Sequence, residues 1–403
     1  MKGATKRRLL WLTGAAAAIG AAGFLVAWSG IINVGASTGH WAITSWFLHF
    51  SMRQSVETHA LGIEAPALDD PGMVLRGAGH YATGCAACHG APGQPQSPVA
   101  LAMTPPPPVL AETLHKWEPE ELFWIVRNGV KMTAMPAWVA FGREDEVWAM
   151  VAFLLRLPDM EPAEYRRLAF GRDEAGGDAA GGDGAAAEAR TETGSVSPAA
   201  LTPGTLDEIG GGEALANCAR CHGRDGAGRG EGAFPRLTGQ SEAYLLASLE
   251  AYAAGRRYSG FMQPAAAGLS EEEMLALAAH FADAEAPAVP DPGEPALVAR
   301  GRDIATQGAP ADGVPACAVC HGPLPDGRSV QPHPLYPRLA GQRAGYLEQQ
   351  LRAWQQDTRG GTPFAHIMRT IAARMSDDQI RAVTLYYQSL APQPSAAAPG
   401  SGG

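Results

Sequence analysis

All six cysteines of this 403-residue chain fall in three copies of one pattern, Cys-x-x-Cys-His, written CAACH, CARCH and CAVCH. None is left for a disulfide, a free nucleophilic thiol or a thiolate metal site. Two cysteines three residues apart lie on nearly the same face of a helix, one turn apart. They can reach the two vinyl groups of a single porphyrin and form thioethers, and the histidine that follows can present its imidazole to the iron. The pattern reads as c-type haem attachment. A redox Cys-x-x-Cys or half of a zinc site would not need a histidine after the second cysteine in every copy. The expected cofactors are therefore three covalently bound haem c groups, at Cys85, Cys88 and His89, at Cys218, Cys221 and His222, and at Cys317, Cys320 and His321.

The rest of the chain arranges itself around these motifs. The second unit runs from CARCHG through PRLTGQSEAYLLASLEAY to FMQPAAAGLSEEEMLALAAHF. The third has the same landmarks in the same order, with PRLAGQRAGYLEQQLRAW and IMRTIAARMSDDQIRAVTLYY. The first follows the plan more loosely, ending in AMPAWVAFGREDEVWAMVAFLLRL. Each last segment has helical apolar spacing: Val147, Met150, Val151 and Leu154; Met274, Leu277, Ala278 and Phe281; Ile380, Val383, Thr384 and Tyr387. Ser270 with Glu273 and Ser376 with Gln379 read as capping boxes. No strand alternation is apparent. The expected fold class is mainly α: one N-terminal transmembrane helix followed by three helical domains, each carrying one haem.

The expected divisions are an anchor at 1–33, a juxtamembrane segment at 34–71 and a first domain at 72–165. A flexible linker at 166–203, a second domain at 204–285 and a Pro-rich linker at 286–295 follow. A third domain at 296–392 and a disordered tail at 393–403 complete the chain. Residues 171–200 lack aromatics and nearly all large apolar side chains, so they cannot bury enough surface to offset the entropy of ordering.

Aligning the units on their last helices, at Arg143, Ser270 and Ser376, places a methionine eight residues earlier in each: Met135, Met262 and Met368. One methionine before a helix is usually an apolar gap-filler. The shared register marks all three as the second axial ligands, since His/Met is an established haem pair. Met132 has the wrong offset. The eight histidines outside the motifs have no ligand spacing and are not assigned to iron. Arg236 and Arg338, in the shared PRL, are candidates for haem propionates because a guanidinium suits a carboxylate. The first unit has Val109 there. Gln240 and Gln342 are read as loop-ordering residues.

Lys2, Lys6, Arg7 and Arg8 precede an uncharged run from Leu9 through Trp28, and no further charge appears until Arg53. Twenty helical residues span about 30 Å, the thickness of a bilayer core. The alternative is a cleaved signal peptide, whose apolar region is ordinarily shorter. The expectation is an uncleaved single-pass anchor in the inner membrane of a bacterium, with the haem domains in the periplasm. The stretch WAITSWFLHF at 41–50 would rest at the membrane interface or cover the first domain. A net charge of −10 argues against nucleic acid as a partner.

Each unit resembles a class I cytochrome c domain: a haem-attachment helix, a Met-bearing loop and a C-terminal helix packed across the first. The second and third are similar to the repeated domains of dihaem cytochromes c. The first, with ELFWIVRNGVKMTAMPAW, is similar to domains of oxidase- and dehydrogenase-associated cytochromes. The resemblance implies that the carbonyls of Pro235 and Pro337, and also Pro108, orient the proximal imidazoles. It also implies electron transfer without catalytic turnover of the chain's own. The expected role is a respiratory-chain cytochrome between a dehydrogenase or quinol-oxidising complex and a terminal oxidase or soluble carrier. Its rivals are the cytochrome subunit of a membrane-bound dehydrogenase and a haem enzyme such as a peroxidase, which would need an open iron. A haem-based sensor would need a signalling segment, and none is left over.

Overall fold

The computed structural model describes residues 2–171, 212–287, 290–323 and 333–392. Most of the expected linker at 166–203 and all of the tail at 393–403 lie outside the described residues. Those residues are helical, with only two isolated β-bridges, Ala91 to Gln94 and Ala309 to Val314.

Helix α1, Lys2–Trp28, contains a 24-residue stretch from Thr5 to Trp28 of mean hydropathy 1.9, long and apolar enough to cross a membrane. Helix α2, Ala42–Ala60, divides in two. Its first half exposes Ile43, Trp46, Phe47 and Phe50. Its second half covers unit 1, burying Val56 and Ala60 and setting His59 against Trp124 and Arg53 over Trp117. The cover over unit 1 thus comes from residues 53–60, after the aromatic stretch at 41–50, whose large side chains stay exposed.

Unit 1 is built from α3 (Pro71–Gly84), α4 (Pro119–Asn128), α5 (Glu144–Arg156) and α6 (Pro162–Phe170). Helices α3 and α5 cross at Gly77, where a Cβ would strike the carbonyl oxygen of Ala149 and come within 2.5 Å of Phe153 Cβ. Every predicted core position of α5 is buried: Val147, Met150, Val151 and Leu154. Helix α6 packs on α3 and places Tyr165 and Ala169 in the same core. The packed unit therefore runs past the expected boundary at 165. The pattern missed it because α6 is short and offers only a few apolar side chains.

Unit 2 contains α7 (Gly212–His222), α8 (Glu242–Ala253), α9 (Met262–Ala267) and α10 (Glu271–Asp283). Unit 3 contains α11 (Pro295–Gln307), α12 (Ala344–Gln355), α13 (Ala365–Ala372) and α14 (Asp377–Ser389). Both predicted capping boxes are made, at Ser270/Glu273 and Ser376/Gln379. In unit 3, α11 crosses α14 at Gly301, whose absent Cβ leaves room for the carbonyl of Ala382.

Units 2 and 3 are stitched together by a reciprocal clasp. The Gln342 side chain accepts from Arg236 N at 3.0 Å and donates to Arg236 O at 2.9 Å. The Gln240 side chain accepts from Arg338 N at 3.0 Å and donates to Arg338 O at 2.5 Å. Each buried amide satisfies both backbone groups of the other unit's PRL arginine. This corrects the reading of the two glutamines as local loop-ordering groups. Their like positions in a repeated sequence make the contact self-complementary, as across a two-fold axis.

Two predictions follow from these contacts. Gly77→Ala and Gly301→Ala force backbone apart at a helix crossing, and each should cost about 1–3 kcal/mol, the usual range for overpacking. Thermal unfolding followed by circular dichroism measures the loss; an unchanged midpoint would show that the helices separate freely. Gln240→Ala and Gln342→Ala each strand a buried N–H and C=O, at about 1–3 kcal/mol per unsatisfied group. Denaturant unfolding should shift accordingly, and wild-type midpoints would mean that the clasp contributes nothing net.

Candidate haem sites

Each motif histidine is held in the same way. His89 Nδ1 lies 2.9 Å from Pro108 O, His222 Nδ1 3.0 Å from Pro235 O, and His321 Nδ1 2.8 Å from Pro337 O. A carbonyl only accepts, so Nδ1 must carry the proton, which leaves Nε2 as the free lone pair. Burial pushes all three imidazoles down from their ordinary pKa, toward the neutral form a metal ligand requires. The third proline, Pro108, behaves as the other two do although its unit diverges most.

The local frames differ. In unit 2 the whole motif lies on α7. In unit 1, α3 ends at Gly84, and a separate turn, Ala86–His89, carries the histidine. There the fully buried Tyr81 donates from its hydroxyl to Gly90 O at 2.6 Å, tying α3 to the residue after the motif. In unit 3 the residues from Gly308 to Pro315, with their bridge at Ala309 and Val314, separate α11 from the motif turn Ala318–His321.

The three methionines fall in the predicted register on unlike backbones. Met135 is on a loop, tied down where its N–H donates to Thr133 Oγ1 at 3.1 Å and its carbonyl accepts from Val130 N at 3.2 Å. Gly129, with φ +64°, makes room for this loop, since a Cβ there would meet Met135 O at 2.6 Å. Met262 is the first residue of α9 and Met368 lies within α13. The expectation of a Met-bearing loop thus holds for unit 1 alone. All three are half-buried, whereas the rival Met132 is 97% exposed.

Arg236 is 3% exposed. One terminal nitrogen donates to Pro287 O, while Nε and Nη1 have no protein partner. Thr238 Oγ1 nearby in sequence is buried and equally unpartnered. Arg338 donates to Gly239 O at 3.3 Å. A second basic group was not foreseen from the sequence. Arg257 is buried, and Arg359 half-buried, at the contact of units 2 and 3. Arg257 donates to Ser248 Oγ at 3.0 Å and Tyr346 OH at 3.0 Å. It also lies over Tyr252, and Arg359 over Trp354. Among the described residues no carboxylate pairs with either. Buried guanidinium nitrogens left open are what an anionic side group fills. Together with three free imidazole nitrogens beside paired cysteines, they fit a propionate-bearing metalloporphyrin.

Comparison with known proteins agrees. The family model for cytochrome c oxidase, cbb3-type, subunit III matches residues 72–154, and that for cytochrome c matches 211–285 and 298–391. A thiosulfate dehydrogenase electron acceptor of Stutzerimonas stutzeri is 40% identical over 174 residues, 43% of this chain and 78% of its own length. Cytochrome c4 of Thiocapsa roseopersicina is 38% identical over 181 residues, 44% of this chain and 91% of its own. A crystal structure of reduced cytochrome c4 from Pseudomonas stutzeri, 32% identical, overlaps 46% of this chain and 98% of its own with a TM-score of 0.41. The chain belongs to the cytochrome c family, as a multihaem class I member with three covalently bound haem c groups and a second and third unit of the dihaem kind.

Proposed function

We propose that the chain is a membrane-tethered electron relay of a respiratory chain, working between a dehydrogenase or quinol-oxidising complex and a terminal oxidase or soluble carrier. Haem c supplies a one-electron ferric–ferrous couple. The protein's part is to saturate each iron and to hold the three sites in contact. In this reading His89, His222 and His321 are the proximal ligands and Met135, Met262 and Met368 the distal ones. Arg236 and Arg338 face propionates. A thioether opposite an imidazole raises the potential and leaves no position for a substrate.

The observation that carries the reading is the repetition of one imidazole–carbonyl arrangement in all three units, which also share one methionine register in the sequence. Helix α1 supports a tether with unit 1 nearest the membrane. The relatives' printed role as electron acceptors of thiosulfate dehydrogenase supports a donor of that class for units 2 and 3. The match of unit 1 to an oxidase subunit supports delivery at the membrane end. A standing place as the cytochrome subunit of such a dehydrogenase is the second reading, favoured by the same relatives. It predicts a complex that survives purification.

Substituting Met135, Met262 or Met368 by alanine should open one iron each, giving high-spin ferric signal and rapid carbon monoxide binding that the parent lacks. Fast binding to the unaltered protein would support the peroxidase reading instead. In stopped-flow mixing, thiosulfate with its dehydrogenase should reduce the haems of units 2 and 3 ahead of that of unit 1. Reduction of unit 1 first, or of none, would reverse or remove the assigned direction.

A further inference from the structure

Unit 1 packs against the methionine-bearing segment of unit 2. Unit 1 reaches it through Glu146, in the first turn of α5, which is 3% exposed although it is a carboxylate. Every partner of Glu146 is a donor. Arg143 Nη1 lies at 2.9 Å and Trp138 Nε1 at 3.3 Å, both from unit 1. Ser259 Oγ lies at 2.6 Å and Gly260 N at 2.5 Å, both from unit 2. Arg143 also donates to Tyr258 O at 2.6 Å.

Ser259 passes the contact on. Its oxygen accepts from Phe261 N at 3.3 Å and from Met262 N at 3.1 Å. With both backbone donors directed at that oxygen, its own proton points to Glu146. A continuous line of hydrogen bonds therefore joins a buried carboxylate of unit 1 to the backbone of Met262. The surrounding apolar contacts reinforce it. The Trp138 ring meets Phe261 edge-on at 5.6 Å, and His80 of α3 lies 4.9 Å from both rings. Gly260 has no side chain because the Trp138 indole occupies that space. On the opposite flank, a Cβ on Gly79 of α3 would come within 3.3 Å of Cys221 Sγ. Trp138 stands three residues after Met135 and Phe261 one before Met262, so the joint also brings the two ligand-bearing segments together.

We infer that unit 1 completes the second haem site, with Glu146 acting across the unit boundary as the positioning residue for the Met262 turn. Unit 3 has nothing of the kind over Met368 among the described residues; α13 instead carries its methionine on a continuous helix. Haem 2 is thereby the one whose ligation reports whether unit 1 is docked. This rests on the proposed reading of Met262 as an axial ligand.

The test uses the full chain with its three haems, checked by haem content. Met262→His replaces a thioether by an imidazole and lowers one reduction potential of the three, which identifies haem 2. Glu146→Gln keeps the shape but turns an amide donor toward donors. Ser259→Ala, a milder change, cuts the line between Glu146 and Met262 N. Both should move that same potential and weaken the red methionine-to-iron charge-transfer band by up to one haem's share, leaving the other two potentials in place. If Met262→His moves a potential while Glu146→Gln and Ser259→Ala move none, the cross-unit role is overturned and the ligand assignment stands. If Met262→His moves none, the ligand assignment falls and the inference with it. Equal shifts of all three potentials in Ser259→Ala would mark a general loosening and would also overturn it.

Discussion

An imidazole can give iron only one nitrogen, so the direction of the ring is decided by what holds the other. In each unit a prolyl carbonyl does this, at 2.8–3.0 Å from Nδ1. Proline suits the task. Its ring fixes φ and it has no N–H to compete for the acceptor, so the carbonyl is presented from a stiff point in the backbone. The rest of each unit works around this fixed point. The helix crossings at Gly77 and Gly301 bring backbone close enough to make a small rigid frame.

The two joints between units use different chemistry. Units 2 and 3 meet through matched elements: the glutamine of each unit binds the backbone of the other unit's PRL arginine, four hydrogen bonds in all. Units 1 and 2 meet through unlike elements, α5 and α3 of one against the Met262 turn and α7 of the other. Here a buried carboxylate gathers donors from both sides. Burial pushes Glu146 up in pKa, and the Arg143 charge with the Ser259 and Gly260 donors opposes the rise. Neither joint is apolar at its centre. Parting the units would expose groups whose partners lie on the other side, which makes both contacts specific as well as adhesive.

What could be read from the sequence was whatever repeats at short range. All twelve core positions assigned from helical spacing are buried, and both capping boxes form, because a helix fixes which neighbours three and four residues apart share a face. The methionine register was legible because three copies of one unit could be laid over each other. The backbone beneath it was not: Met262 opens a helix and Met368 lies inside one, a difference made by the residues around each. The joints were illegible for another reason. Gln342 pairs with a residue 106 positions away, and Glu146 with one 113 away. Nothing in local periodicity marks a polar residue as half of such a pair. Glu146 reads as an ordinary acidic first-turn residue, suited to a helix N-terminus. Its environment alone makes it different.

The proposed tether is only as useful as the stiffness of what it holds. Between the end of α1 at Trp28 and the start of α2 at Ala42 lie thirteen residues, whose fully extended reach is about 45 Å. Helix α2 then grips unit 1 directly, through Val56, Ala60 and the His59–Trp124 contact. Unit 1 is in turn locked to unit 2, where Arg229 donates to the carbonyls of Arg167 and Leu168 at the end of α6. This last contact adds hydrogen bonds between the two units at the end of α6. The separation of units 1 and 2 is therefore decided by buried hydrogen bonds and packing. The intervening chain, residues 172–211, does not have to decide it. Spacing between redox groups that follows from interfaces is the same in every molecule, and the connecting chain can vary in length and composition without changing it.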